Sequence, residues 1–284
     1  QLMQALSPDQ FKAVLAHEIG HISGKHGGYG KWAYQLHEAW NRFIESQEMS
    51  GYKLDFLYGR FVNWFFPYFQ AYSFVLMREH EKEADRYAVE LTGEKALGES
   101  LILLQTRSAY LEKVFWNGIN EENKKSPVAS QNIFSRMLGS LLVNDQNLSE
   151  ETLQKAVKIP TDYNDSHPAL ADRLFMMGYW NREGLPAIPD PVPENAAEYF
   201  LGGHKESLVA EFEAIWNENI SETWRQQHEY FKTSEKRFEE LESKSSNEEL
   251  SVAELIEKAG LIAQQQGNPA ALPIIREALE REPE

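Results

Sequence analysis

Residues 7–23 read Ser7-Pro8-Asp9-Gln10-Phe11-Lys12-Ala13-Val14-Leu15-Ala16-His17-Glu18-Ile19-Gly20-His21-Ile22-Ser23. Ser7 suits an N-cap and Pro8 the first helical position, while Gln10, three residues past Ser7, completes a capping-box pattern. Phe11, Val14, Leu15, Ile19 and Ile22 recur at helical spacing, which predicts a buried helix closed by Gly24, Gly27 and Gly28. His17 and His21 then lie one turn apart on a single face. Both imidazoles can reach one Zn2+ while Glu18 points at a water on that metal, which is the HExxH reading of a metal hydrolase. Two histidines and a glutamate on an otherwise apolar helix would be costly to bury without such a partner.

A second chemical stretch is Arg78-Glu79-His80-Glu81-Lys82-Glu83-Ala84-Asp85-Arg86-Tyr87-Ala88, strongly helical and closed by Gly93 just past Leu91. Glu81, Ala84, Asp85 and Ala88 share one face at spacings of three and four. The two small residues let another helix approach closely, and a metal-bearing helix arriving there would find Glu81 within ligand reach. Asp85, one turn on, is placed to accept a hydrogen bond from a ligand imidazole and hold its tautomer. Glu79 and Glu83 compete for the third-ligand position but lie on other faces, where Lys82, Arg86 and solvent satisfy them.

Taken together, the LSPDQFKAVLA run, HEIGH and the later RxxExxADRYA resemble the zinc metallopeptidases that include the CAAX prenyl endoprotease and the HtpX-type heat-shock protease. The family pattern has an arginine three before the glutamate ligand and then Ala-Asp, matched by Arg78, Glu81, Ala84 and Asp85; Met77 stands where the family usually has Ser. The segment Asp165-Ser166-His167-Pro168-Ala169-Leu170-Ala171-Asp172-Arg173 looks like the family's His-Pro segment followed by arginine. The resemblance covers residues 1 to about 180. It implies one Zn2+ per chain held by His17, His21 and Glu81, with Glu18 as general base and Asp85 orienting the ligands. It also implies that His167 returns to the cleft, as a candidate for transition-state stabilisation or metal-access control, and that Arg173 is an internal salt-bridge anchor. Relatives have strands ahead of the metal helix that pair with extended substrate, and nothing before Ser7 can supply them. Relatives also carry transmembrane helices, which implies a parent polypeptide anchored in a bacterial membrane, of which this chain is a soluble fragment acting on membrane-associated or misfolded proteins.

The bulk numbers agree with an enzyme-sized globular chain. It has 284 residues, 42% hydrophobic and 12% aromatic, enough for a real core. A formal net charge of −16 argues against a nucleic-acid surface. With no cysteine, a zinc site must use His and carboxylate. No signal peptide is visible, and a chain opening on Gln1 reads as a processed or trimmed piece of something longer. The uncharged run Phe61–Met77 is short for a bilayer span and carries Asn63, Pro67, Gln70 and Ser73, which favours a buried or interfacial segment.

The remaining pattern is mainly α. Helices are predicted over about 31–49, 97–115, 133–142, 150–158 and 196–241, with Pro67 kinking or interrupting any helix in the aromatic stretch 52–74. Residues 117–130 read as a polar, flexible linker and 242–249 as a hinge. The Pro-rich run Leu185–Pro193 cannot continue a helix and is the best domain boundary. The expected organisation is therefore a zincin-like catalytic domain over 1–184, a linker over 185–195 and a helical region over 196–284. Ala259, Ile262, Gly267, Ala271, Ile275, Ala278 and Pro283 fall at tetratricopeptide-like spacing, which reads either as one such unit at about 250–284, with a surface for a protein partner, or as an ordinary helical hairpin. Two rival readings accompany the zinc endopeptidase. One is a non-catalytic peptidase-like scaffold that retains a zinc site. The other is a structural zinc module, which is weaker because such sites usually close with four protein ligands.

Overall fold

The computed structural model describes residues 1–23, 42, 56–161, 167–190 and 194–282. Among them the chain is helical and forms no strand. Contacts divide it into two compact units, Gln1–Phe115 with Phe134–Val209, and Trp116–Ile133 with Ala210–Glu284.

The first unit is built on the pairing of α2 (Pro8–Ser23), which follows the short α1 (Leu2–Ala5), with α3 (Phe56–Thr92). The start of α2 is fixed as its sequence requires: the Ser7 amide donates to Gln10 Oε1 at 2.9 Å, and the Gln10 amide donates to Ser7 Oγ at 3.3 Å. Ala13 and Ala16 of α2 bury against Ala88 of α3 and Leu97. One turn further along, a Cβ added at Gly20 would fall 2.9 Å from the Ala84 Cα, so the backbones nearly touch at this point. Absence of side chains, not their fit, sets this spacing, and it is close enough for the histidines of α2 to meet the carboxylates of α3.

α4 (Glu94–Tyr110) closes the other side of α2, with the Gln10 side-chain Nε2 donating to Glu99 Oε2 at 2.9 Å. Its apolar face joins α7 (Gln146–Ala156) and α8 (Leu170–Met176) in a core centred on Ile102, Leu153 and Leu174. Gly98 on α4 leaves room for the Tyr179 ring, which any Cβ there would strike at 2.3 Å. That contact seats the turn after α8 and so fixes the helix that carries Arg173. α6 (Ile133–Leu141) covers a neighbouring cluster of Leu6, Leu103 and Leu141. The short α9 (Ala196–Leu201) is tied back to the N-terminus by the Ala196 amide on the Leu6 carbonyl.

The second unit contains α5 (Asn117–Lys125), the greater part of α10 (His204–Ser245), α11 (Val252–Gln266) and α12 (Asn268–Arg281). The Asn123 side-chain amide donates to the Trp224 carbonyl, and buried His228 donates from Nδ1 to the Asn123 carbonyl. α11 and α12 form a hairpin turned at Gly267, whose φ of 90° favours glycine, with Ala259, Ile262 and Ala271 buried between them.

Several sequence expectations change. α3 is one helix through Pro67, so the proline does not interrupt it, the helix continuing on both sides of the bond that proline cannot donate. Residues 117–125 form a helix instead of a linker, since burial of Ile119 and Asn123 overrides their polar composition. The helix predicted from 196 to 241 is two, parted at Gly202 (φ 49°), and α10 continues to Ser245 through the start of the expected hinge. Leu185 and Ile188 of the Pro-rich run pack on the Leu174 core of the first unit. The helix expected over 31–49 lies outside the described residues, Arg42 apart. Of the run Phe61–Met77, Trp64, Tyr68 and Val75 are exposed and Met77 is buried, and no described helix is long and apolar enough to cross a membrane.

Candidate metal centre

The close approach of α2 and α3 gathers the histidines and the acids. Donor atoms of His17, His21 and Glu81 all lie within 4.8 Å of one another. His17 Nε2 and His21 Nε2 are 3.1 Å apart, His21 Nε2 is 3.3 Å from Glu81 Oε1, and His17 Nε2 is 3.7 Å from Glu81 Oε2. Ligands about 2.0–2.1 Å from a tetrahedral ion are separated by roughly 3.4 Å, so this donor set fits a small divalent cation. Its chemistry, two imidazoles and one carboxylate with no thiolate, is that of a three-residue site with one position left for another group.

The nitrogens are aimed by their neighbours. Asp85 Oδ1 lies 2.9 Å from His17 Nδ1 and accepts its proton, which leaves the Nε2 lone pair facing His21 and Glu81. Arg173 in turn clamps Asp85 with two donated bonds, Nε to Oδ2 at 2.9 Å and Nη2 to Oδ1 at 2.6 Å. Asp85 and Arg173 are both buried, so their charges are satisfied by each other and by the groups of the cluster, the His17 imidazole among them. Burial pushes the Asp85 carboxyl up, but its hydrogen bonds with His17 and Arg173 and the arginine charge win and hold it below its ordinary value. The same balance acts on Glu81: burial opposes, and His167, Arg173 and His17 bring it down. Burial lowers His21, keeping it a neutral donor, with Glu81 pulling the other way.

His167 also reaches the cluster. Its Nδ1 is 2.7 Å from Glu81 Oε2, and that hydrogen bond raises the imidazole against the opposing effect of burial. A latch holds the turn that presents it. The Thr161 hydroxyl accepts from the Ala169 amide and donates to Asp172, each at 2.7 Å, and Arg182 donates to the other Asp172 oxygen. Thr161 and Asp172 were not singled out in the sequence; the only signal there is a Thr-to-Asp pair bracketing a His-Pro turn.

Glu79 and Glu83 stand apart from the donors. Glu79 is exposed and accepts from Lys82 at 2.7 Å, and Glu83 lies 3.7 Å from Arg86. A depression of about 540 Å³ on that charged side of α3 includes the edge of Asp85 but none of the three donor residues. Glu18 is exposed beside His17 and lines a different cleft, of about 380 Å³, together with His167, Arg173 and leucines of α4.

The profile of peptidase family M48 matches residues 1–180. The chain belongs to this family. Membership supports a metallopeptidase, a protease class of hydrolase, and the matched M48 region takes in α2, α3, His167 and Arg173. No curated protein and no solved structure matches the chain.

Proposed function

We propose that this M48 chain is a zinc-dependent endopeptidase in which His17, His21 and Glu81 hold the metal and Glu18 is the general base. The observation that carries the reading is the convergence of three donors within 4.8 Å at the edge of a cleft that Glu18 also lines. When bound, Zn2+ would supply Lewis acidity, polarising the scissile carbonyl and acidifying the attacking water.

The protein's part follows from its own groups. Glu18, exposed to the cleft, takes a proton from water as the oxygen adds to the carbonyl carbon. It then delivers that proton to the amide nitrogen as the C–N bond breaks, ending in its starting charge. His167, made more basic by Glu81, is the donor for the negative oxygen of the tetrahedral stage. Asp85 keeps His17 in the tautomer whose Nε2 can ligate, and Arg173 keeps Asp85 anionic and in place.

Glu18→Gln removes the base while preserving size and the three donors. It is expected to lower peptide hydrolysis by about 10²–10⁴-fold while the variant still binds one metal. Wild-type turnover in that variant would remove Glu18 from the role.

A further inference from the structure

The cleft beside Glu18 continues beyond His167. Its first lobe, about 380 Å³, is lined by Val14 of α2, Leu97, Leu101 and Leu104 of α4, and Leu170 of α8, with Ser108 as a neutral polar group among them. A second lobe, about 270 Å³, is lined by Ala156, Ile159 and Ala169. Both lobes share Gln105, His167, Pro168 and Leu170, so a wall of those residues separates two adjoining depressions. Ile159, in the second, is 57% exposed, an apolar side chain facing solvent at the edge of a catalytic cleft.

One turn of helix, about 10–12 Å across and about 5.4 Å in pitch, fills roughly 420–610 Å³, more than either lobe holds, so an extended chain is the occupant that fits. In such a chain residues i and i+2 point to the same side, roughly 6.6 Å apart, and can drop side chains into neighbouring depressions while the residue between them points away. Apart from His17, Glu18, His167 and Arg173 at its catalytic end, the described lining of the first lobe carries no charged group. An apolar side chain is therefore accommodated there, and an acidic one would lose its hydration with only the neutral Gln105 and Ser108 as donors outside the metal cluster and no free cation in that described lining to balance its charge.

We infer that the two lobes are paired subsites selecting apolar side chains at alternate positions of an extended polypeptide, the first next to the scissile bond and the second two residues further along. This deepens the peptidase reading and rests on it for the location of the scissile bond. Gln105 at the shared lip and Ile159 in the outer lobe become specificity-determining residues.

The test uses zinc-loaded Glu18→Gln protein, which should bind without turnover, and capped glycine-rich peptides carrying a Leu-Gly-Leu unit on either side of a central bond. Replacing the bond-proximal leucine by aspartate should weaken binding roughly tenfold or more, and replacing the distal one should weaken it less. Ile159→Asp, at an exposed position, should erase the distal preference and leave the proximal one. Gln105→Glu should weaken both leucine contacts and improve binding of a lysine analogue. Equal affinities across the peptides, or a distal preference that survives Ile159→Asp, would overturn the paired subsites. The outcomes separate from those of the peptidase reading. Wild-type enzyme that cuts every peptide at one rate, with equal affinities, leaves a peptidase without these subsites. Selective binding by a wild type that cuts none leaves the subsites and removes the peptidase.

Discussion

The metal-cluster region and the C-terminal helices handle charge in opposite ways. Around α2 and α3, Glu81, Asp85, His17 and Arg173 are buried and answer one another within a few ångströms. Along α10 and α11 the ion pairs are on the surface: Arg237 bonds Glu257 and Glu240, and Lys244 bonds Glu254, with all of these groups open to water. Their pKa values also move, Glu254 down to about 2, because hydrogen bonds from Lys244 and Ser251 favour the charged form. At the cluster burial is a leading influence, opposing the shifts of Glu81, Asp85 and His167 and driving that of His21, and it is nearly absent in the tail. A perturbed titration therefore does not by itself mark a functional site. What marks one is a charge kept in a dry place where an apolar residue would be cheaper.

The sharpest way to break that contrast is Arg173→Ala. It leaves Asp85 buried without its clamp, and should cost about 3–5 kcal/mol in urea-unfolding stability. A loss no larger than at the surface would mean that the cluster charges are solvated after all. Gly20→Ala attacks the spacing instead of the charge. Its methyl would press on the Ala84 backbone, with an expected cost of about 1–3 kcal/mol and weaker metal retention, since the donor helices must part.

The pH dependence sharpens the comparison further. Asp85 and Glu81 are held below their ordinary 3.8 and 4.5, so the stability they contribute is complete above those values and is lost as pH falls through the lowered folded ones. In chelator, urea midpoints measured from about pH 7 to about pH 3 should fall steeply in that acid window, and less so in Asp85→Asn. The smallest effect is reserved for the tail: Arg237→Ala should leave the urea midpoint unchanged within error, and added salt should not alter that result.

Much of the centre was legible because it depends on local periodicity. The HExxH spacing puts both imidazoles on one face, the Ser7–Gln10 box starts that helix, and the three-four pattern on α3 distinguishes Glu81 from Glu79 and Glu83. The contact that joins the helices was half legible: Ala84 and Ala88 announced a close approach, whereas Gly20 read only as part of the motif although it is the residue without which Ala84 could not come so near. The latch of Thr161, Asp172 and Arg182 was not legible, since a hydroxyl reveals its partner only after the turn has formed. Helix α5 was hidden by its polar composition. Its anchors, Asn123 and His228, meet across 105 positions of sequence, a distance over which no pattern speaks.

The central claim is that α2 and α3 together build one metal site, and calorimetric titration of Zn2+ into chelator-stripped protein at neutral pH tests it most directly. About one ion should bind per chain, with protons released where imidazoles must be deprotonated, and Glu81→Ala should bind far more weakly than Glu79→Ala. No binding, or equal affinity in the two variants, would contradict it.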